Sequence, residues 1–247
     1  MRCTIAIALC LGCCAAAQAD RIDFEAPAYT PPSTFPAGWT GLNSPVITTD
    51  QATSGSQSMA LGLHLWGGYN QSNASADYHI NLPTVPGGQF TLRVDIKTSA
   101  TGGLYGNYGL LSLTDSYMST LANLRFFNYD YAGDLDLVCT SAYNDHVLSS
   151  FVPGQWYRYS LTIDWANNTM THRVETLEGA LVGEHTANVD ASRLEGGIGL
   201  VAFIGSADNA APTYIDQVLI NEVPEPASLA LVGTGAMMMI APRRRHR

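Results

Sequence analysis

The sequence predicts an all-β domain, a jelly roll or β-sandwich, flanked by an N-terminal signal helix and a short C-terminal transmembrane helix. Three observations lead there. Apolar and polar residues alternate with period two in run after run, clusters of Gly, Pro and Asn separate the runs, and helical periodicity is nearly absent.

The alternation is clearest over residues 89–97, where Phe90, Leu92, Val94 and Ile96 fall on one face and polar residues on the other. Residues 157–164 repeat it. Further strands are expected at 22–25, 58–63, 77–82, 108–113, 123–129, 134–140, 170–175, 181–186, 198–204 and 214–220. Residues 190–194 read as one short helical turn, and the Pro- and Gly-rich stretch 27–41 as a long connection after the first strand. Trp39, Trp156 and Trp165 are expected in the core.

The ends divide the chain into three parts: 1–19, 20–222 and 223–247. Arg2, an apolar run from Ile5, and Ala17-Gln18-Ala19 before Asp20 form a secretory signal with a small-x-small site for signal peptidase. A lipoprotein signal is the alternative, because Cys10, Cys13 and Cys14 lie in or beside that run. None of the three follows the Leu-small-Gly or Leu-small-Ala triplet such a signal uses. Four of the five cysteines leave with the signal, so Cys139 has no partner for an internal disulfide and reads as a small apolar residue within its strand.

Between Asp20 and Glu222 seven basic residues face twenty acidic ones. This excludes nucleic acid and anionic lipid as partners of a basic surface.

At the C-terminus, the two prolines of Val223-Pro224-Glu225-Pro226 hold the backbone extended, as a protease cleft requires. The uncharged segment 227–241 falls short of the ~20 apolar residues of a full span. Arg243, Arg244, Arg245 and Arg247 then stop transfer on the cytoplasmic side. A plain single-pass anchor is the alternative, and such anchors are longer. The combination resembles the PEP-CTERM sorting signal of Gram-negative bacteria. Pro224, Glu225 and Pro226 match its motif and Arg243, Arg244 and Arg245 its basic end, while Pro242 and Met237-Met238-Met239 depart from it. The resemblance implies an exosortase that removes the tail of a transiently inner-membrane-anchored protein. The body is then released to the cell surface or extracellular matrix of exopolysaccharide-producing, biofilm- or floc-forming bacteria.

The body carries a second resemblance. Asp23-Phe24-Glu25, Pro36-Ala37-Gly38-Trp39, Ser54-Gly55-Ser56-Gln57-Ser58-Met59-Ala60-Leu61, Gly154-Gln155-Trp156-Tyr157 and Tyr214-Ile215-Asp216-Gln217-Val218 resemble landmarks of concanavalin A-like lectin/glucanase sandwich domains. The resemblance implies an architecture rather than an activity.

Catalytic signals are incomplete. Glucanases of that superfamily carry Glu-x-Asp-x-x-Glu, which places acids on one strand face. The nearest match, Asp134-Leu135-Asp136, has Cys139 where the last acid belongs. Glu175 and Glu178 are three apart and do not share a strand face. Gly197 to Ala202 fits the letters of a dinucleotide fingerprint without its βαβ context. His64, His79, His146, His172 and His185 show no metal-ligand spacing. No enzyme and no cofactor are expected.

Two binding candidates remain. Asp130, Asp134 and Asp136, near Asn128, offer hard oxygens for calcium, against a reading as a polar strand face beside a turn. Trp66, Tyr69 and Asn70 in a Gly-rich loop offer flat rings and an amide to a sugar, against simple packing. The sequence therefore reads as an exported, non-catalytic surface or matrix protein associated with exopolysaccharide. A lectin-like carbohydrate-binding module is the alternative, and a polysaccharide hydrolase or lyase comes third.

Overall fold

A computed structural model describes residues 20–31, 39–42, 45–61, 74–82, 88–98, 106–128, 135–141, 144–205 and 212–220. The signal segment after which cleavage is expected, Trp66, Tyr69, Asn70, Asp130, Asp134 and the whole sorting segment from Val223 lie outside these residues.

Alternation in the sequence becomes alternation in burial. The strand β11 (Trp156–Asp164) buries every second residue. It pairs antiparallel with β6 (Gln89–Thr98), setting Tyr157, Tyr159, Leu161 and Ile163 opposite Ile96, Val94, Leu92 and Phe90. One eight-stranded sheet runs β13 (Leu181–Asn188), β12 (Thr169–Thr176), β11, β6, β15 (Thr213–Ile220), β4 (Ser58–Leu61) and β3 (Val46–Thr48), with β1 (Asp20–Ile22) also on β15. A seven-stranded sheet runs β10 (Asn144–Ser150), β9 (Leu135–Ser141), β8 (Thr120–Asn128), β7 (Gly106–Thr114), β14 (Ile198–Gly205), β5 (Ala74–Leu82) and β2 (Trp39–Leu42). The inner residues of the first sheet form one core with Leu111, Leu113, Leu124, Phe126, Leu137, Val201 and Phe203 of the second. The chain is thus an all-β sandwich, as expected. Its helix α1 (Ala191–Leu194) is capped by Asp190, which accepts hydrogen bonds from the Ser192 amide and hydroxyl.

Two carboxylates fix the loop between β3 and β4. Asp216 Oδ2 accepts from the Thr53 amide (2.8 Å), the Thr53 hydroxyl (2.9 Å) and the Ser54 amide (3.1 Å). Its Oδ1 accepts from the Gln217 amide at 2.7 Å. Glu25 Oε1 accepts from the amides of Ser56 and Gln57 at 2.8 and 2.7 Å. Gly55 sits between the two grips at φ 63°, and a Cβ there would collide with the Glu25 carboxylate. The three motifs 23–25, 54–57 and 214–217, scattered over the chain, meet in this knot. At Asp216 the register of β15 shifts, Gln217 takes φ 51°, and the strand's outer neighbour changes from β4 to β1.

The knot also explains the main departures from expectation. The first strand ends at Ile22 rather than running to Glu25, because Phe24 turns (φ 57°) so that Glu25 reaches the loop. Trp39–Leu42 ends the expected connection as a strand of its own, with Trp39 buried against Phe24, Tyr78 and Phe203. The strands β3 and β10 were not expected either. β3 has only three residues, and β10 is a mostly exposed edge strand with no apolar alternation to reveal it.

Replacing Asp216 by Ala leaves four donors without their acceptor at a fully buried position. Urea unfolding is expected to show a loss of about 3 kcal/mol, against about 1 kcal/mol for Glu25→Ala at the more exposed grip. Equal, small losses would mean that the loop is held by something else.

Candidate functional site

The strand pairing of the seven-stranded sheet lines up one residue from every strand on its outer face. Thr40, Asp77, Ala202, Ser112, Asn123, Thr140 and Asp145 are register partners in sequence across β2, β5, β14, β7, β8, β9 and β10. At about 4.8 Å per strand this rung spans about 29 Å. It is polar except at Ala202, its middle is uncharged, and a carboxylate lies near each end. Flanking it on one side are His79, Leu200 and Thr114, and on the other Arg125, Val138 and Val147.

This face is sheltered although it points away from the core. Ser112, Thr114, Val138, Thr140, Leu200 and Ala202 are each 9% exposed or less. Within it Thr114 Oγ1, Asn123 Oδ1 and Arg125 Nε are buried without a hydrogen-bond partner. Buried polar atoms normally find partners, so three unpaired on one face mark it as a place where a ligand's hydroxyls would be gained rather than merely tolerated.

One end of the face is fixed by charge. Arg125 forms a close ion pair with Asp145, and Thr140 Oγ1 donates to Asp145 Oδ1 at 2.7 Å. Burial pushes the Asp145 carboxyl up, but the Thr140 hydroxyl and the Arg125 guanidinium outweigh it and leave its pKa lowered. The same guanidinium lies over the Phe127 ring, 5.5 Å from its centroid. At the other end burial raises the pKa of Asp77, partly opposed by His79.

A second polar cluster joins the two sheets inside the sandwich. His172 of β12 is fully buried; its Nδ1 hydrogen-bonds to the Tyr159 hydroxyl (2.8 Å) and its Nε2 to the Ser141 hydroxyl of β9 (2.7 Å). Burial, and then the neighbouring His185 and His146, lower its pKa to about 3, so the ring is neutral. On the rim, His146 of β10 and His185 of β13 stack at 3.8 Å, again one ring from each sheet. The Ser-His contact is sealed from any substrate, and its role is to bridge the layers.

Cys139 is buried and burial pushes its thiol up to about 11, an unreactive group on the inner side of β9. Asp136 lies three residues away on the outer side, so these two positions never share a face. Its proposed calcium partners Asp130 and Asp134 are outside the described residues. Among the described residues no group of three His, Cys, Asp or Glu has metal-holding geometry. Glu175 is engaged by Arg173, and Glu178 is exposed at the following turn. Gly199 is explained by packing, since a Cβ there would strike the Asp115 carbonyl of the β7–β8 turn. Trp39 and Trp165 are buried as expected, whereas Trp156 lies half-buried on the outer side of β11 opposite Lys97, because the inward positions of that strand start at Tyr157. Among the described residues no helix is long and apolar enough to cross a membrane.

No protein-family model and no curated protein matches the sequence. Solved structures do match. Lectin II from Ulex europaeus aligns over 83% of this chain and 98% of its own, with TM-score 0.53 and 11% identity. The CBM2 module of the evolved Dit protein of Lactobacillus casei BL23 phage J-1 aligns over 83% and 96%, with TM-score 0.56 and 15% identity. A lectin from Bauhinia forficata in complex with GalNAc aligns over 82% and 96%, with TM-score 0.55 and 10% identity. The fold is the lectin-type β-sandwich. Identities this low carry the architecture and not the ligand.

The buried histidine makes stability depend on pH. His172 titrates near 6.5 when unfolded and at about 3 when folded, so the unfolded state takes up the extra proton between those values and stability is lost as pH falls below 6.5. Urea unfolding at pH 5 is expected to lose about 2 kcal/mol relative to pH 7. His172→Gln should be less stable at pH 7 but lose most of this slope; an unchanged slope would assign it to other groups.

Proposed function

We propose that the chain is an exported, non-catalytic carbohydrate-binding protein of the cell surface or extracellular matrix. The polar rung on the sheltered face of the seven-stranded sheet carries this reading. Hydroxyl-rich ligands need alternating donors and acceptors close together, and the Ser112 and Thr140 hydroxyls and the Asn123 amide supply both. The Asp77 and Asp145 carboxylates accept from hydroxyls at the two ends, and the small side chain of Ala202 leaves room between. The span of the rung suits a run of several sugar rings rather than one. Asp77 and Asp145 do not make the pair that glycoside cleavage requires, since Asp145 is engaged by Arg125 and lies near the opposite edge from Asp77.

Trp66, Tyr69 and Asn70 are proposed as a further sugar contact, with rings that stack on apolar sugar faces. Delivery rests on the two ends of the sequence. Signal peptidase would cut after Ala19 and an exosortase would act at Val223-Pro224-Glu225-Pro226, leaving residues 20–222 free of the inner membrane. An extracellular polysaccharide is the partner this location supplies.

Binding is tested by calorimetry against neutral oligosaccharides released from the host's exopolysaccharide. Asn123→Ala and Thr140→Ala are each expected to weaken binding about 5- to 10-fold, roughly the value of one hydrogen bond. Wild-type binding that neither change affects would move the site elsewhere, and Trp66→Ala then tells whether the loop carries it. Delivery is tested separately: with Pro224 and Glu225 replaced by Ala, mass spectrometry should find the tail retained in the membrane fraction. Trimming and release as in wild type would remove the sorting reading.

A further inference from the structure

The outer face of the eight-stranded sheet, opposite the polar rung, carries a second and differently charged site. Lys97 is the only lysine in all 247 residues. It lies on β6 with Trp156 of β11 and Tyr214 of β15 as its direct register partners on either side. Its Nζ is 5.9 Å from the Trp156 ring centroid and 5.4 Å from that of Tyr214, and it donates to Gln51 Oε1 at 2.7 Å. The residue is only 7% exposed, and burial lowers its pKa.

A sheltered ammonium ordinarily has a carboxylate beside it. Here the carboxylates at hand are committed elsewhere. Asp95, one rung along, is held by Arg158 through two hydrogen bonds of 2.9 and 3.0 Å. Asp216 is used by the amides of Thr53, Ser54 and Gln217. Asp50 is exposed and acts on Tyr214, whose pKa is raised by burial and then by that charge. Among the described residues none lies within ion-pair distance of Lys97 Nζ, although acidic side chains far outnumber basic ones in the body. Lys97 therefore keeps donors available beyond the one given to Gln51.

The wall around it is tied down by hydrogen bonds. Gln51 opens the loop that Asp216 and Glu25 grip. On the far side the turn before β11 is tied to the end of β6 by the Gly154 amide, which donates to the Thr98 carbonyl at 2.8 Å. Trp156 is half-buried, with part of its surface open to solvent.

We propose that Lys97, Trp156, Tyr214 and Gln51 form a binding site for a carboxylate-bearing sugar, a hexuronate unit of an acidic polysaccharide. The carboxylate pairs with Lys97 Nζ, the apolar face of the sugar ring lies against the accessible part of Trp156, and Gln51 exchanges a hydrogen bond with a ring hydroxyl. The site is independent of the neutral rung, and its position on the other sheet lets one molecule hold two glycan chains at once.

The test uses the full chain and calorimetry with oligomers of galacturonate, glucuronate and mannuronate, with cello-oligosaccharide as the neutral control and a sulfated oligosaccharide to separate carboxylate from general anion binding. Wild type is expected to bind at least one uronate series, more weakly as salt rises from 50 to 500 mM. Lys97→Met should lower that affinity at least 10-fold and Lys97→Arg should retain most of it. Gln51→Ala, at an exposed loop position, should lower it several-fold and keeps the test valid if Lys97→Met fails to fold. Asn123→Ala should leave it unchanged, which separates this site from the rung. Because the chain has one lysine, reductive methylation should modify Lys97 besides the N-terminus, and the uronate oligomer should slow it. The proposal is overturned by an absence of uronate binding, by equal binding of Lys97→Met and wild type, by tighter binding of the sulfated chain, or by methylation that the uronate leaves unaffected.

Discussion

The two carboxylate grips on the β3–β4 loop are the constraint from which much of this molecule follows. Asp216 lies where β15 trades one neighbour for another, and Glu25 lies just after the chain has left β1. Both reach the same five-residue turn, so the first strand, the last strand and the loop between β3 and β4 are locked into one arrangement. Carboxylates facing several amides are among the stronger hydrogen-bonding arrangements open to a protein. The described cysteine is a lone buried thiol, and the fold leans on these contacts and on its core.

The same knot shapes the outer surface of the eight-stranded sheet. Holding the loop in place puts Gln51 over Lys97, and the Arg158–Asp95 pair beside it removes the nearest carboxylate from competition. The opposite sheet works differently. Its polar outer face comes from register: small hydroxyl and amide residues fall on one rung when seven strands pair. The inter-sheet histidines connect the layers, with His172 satisfied on both nitrogens and the His146–His185 stack at the rim.

Much of the fold was legible from local pattern. The strands β6 and β11 are visible because their alternate residues enter one core, and the Asp190 turn because a side-chain acceptor at a helix start is a local event. β10 was not, since an exposed edge strand has no apolar face to display. Trp156 was misplaced for a related reason: aromatic character favours burial, but the phase of the strand, fixed by Tyr157, points it outward. His146, His172 and His185 looked scattered because strand pairing and the packing of one sheet on the other, not spacing, bring them together.

The sequence by itself determined the all-β class and the strong acidity of the body. Each of these is written in neighbouring residues or in composition. Only the tertiary structure decided which residues share the polar rung, because Asp77, Ser112, Asn123, Thr140 and Asp145 come from five strands far apart in the chain, and nothing local to any of them says that they are neighbours. The same holds for Lys97, whose meaning lies in Trp156 on one side, Tyr214 on the other, and the carboxylates that the fold has already engaged elsewhere.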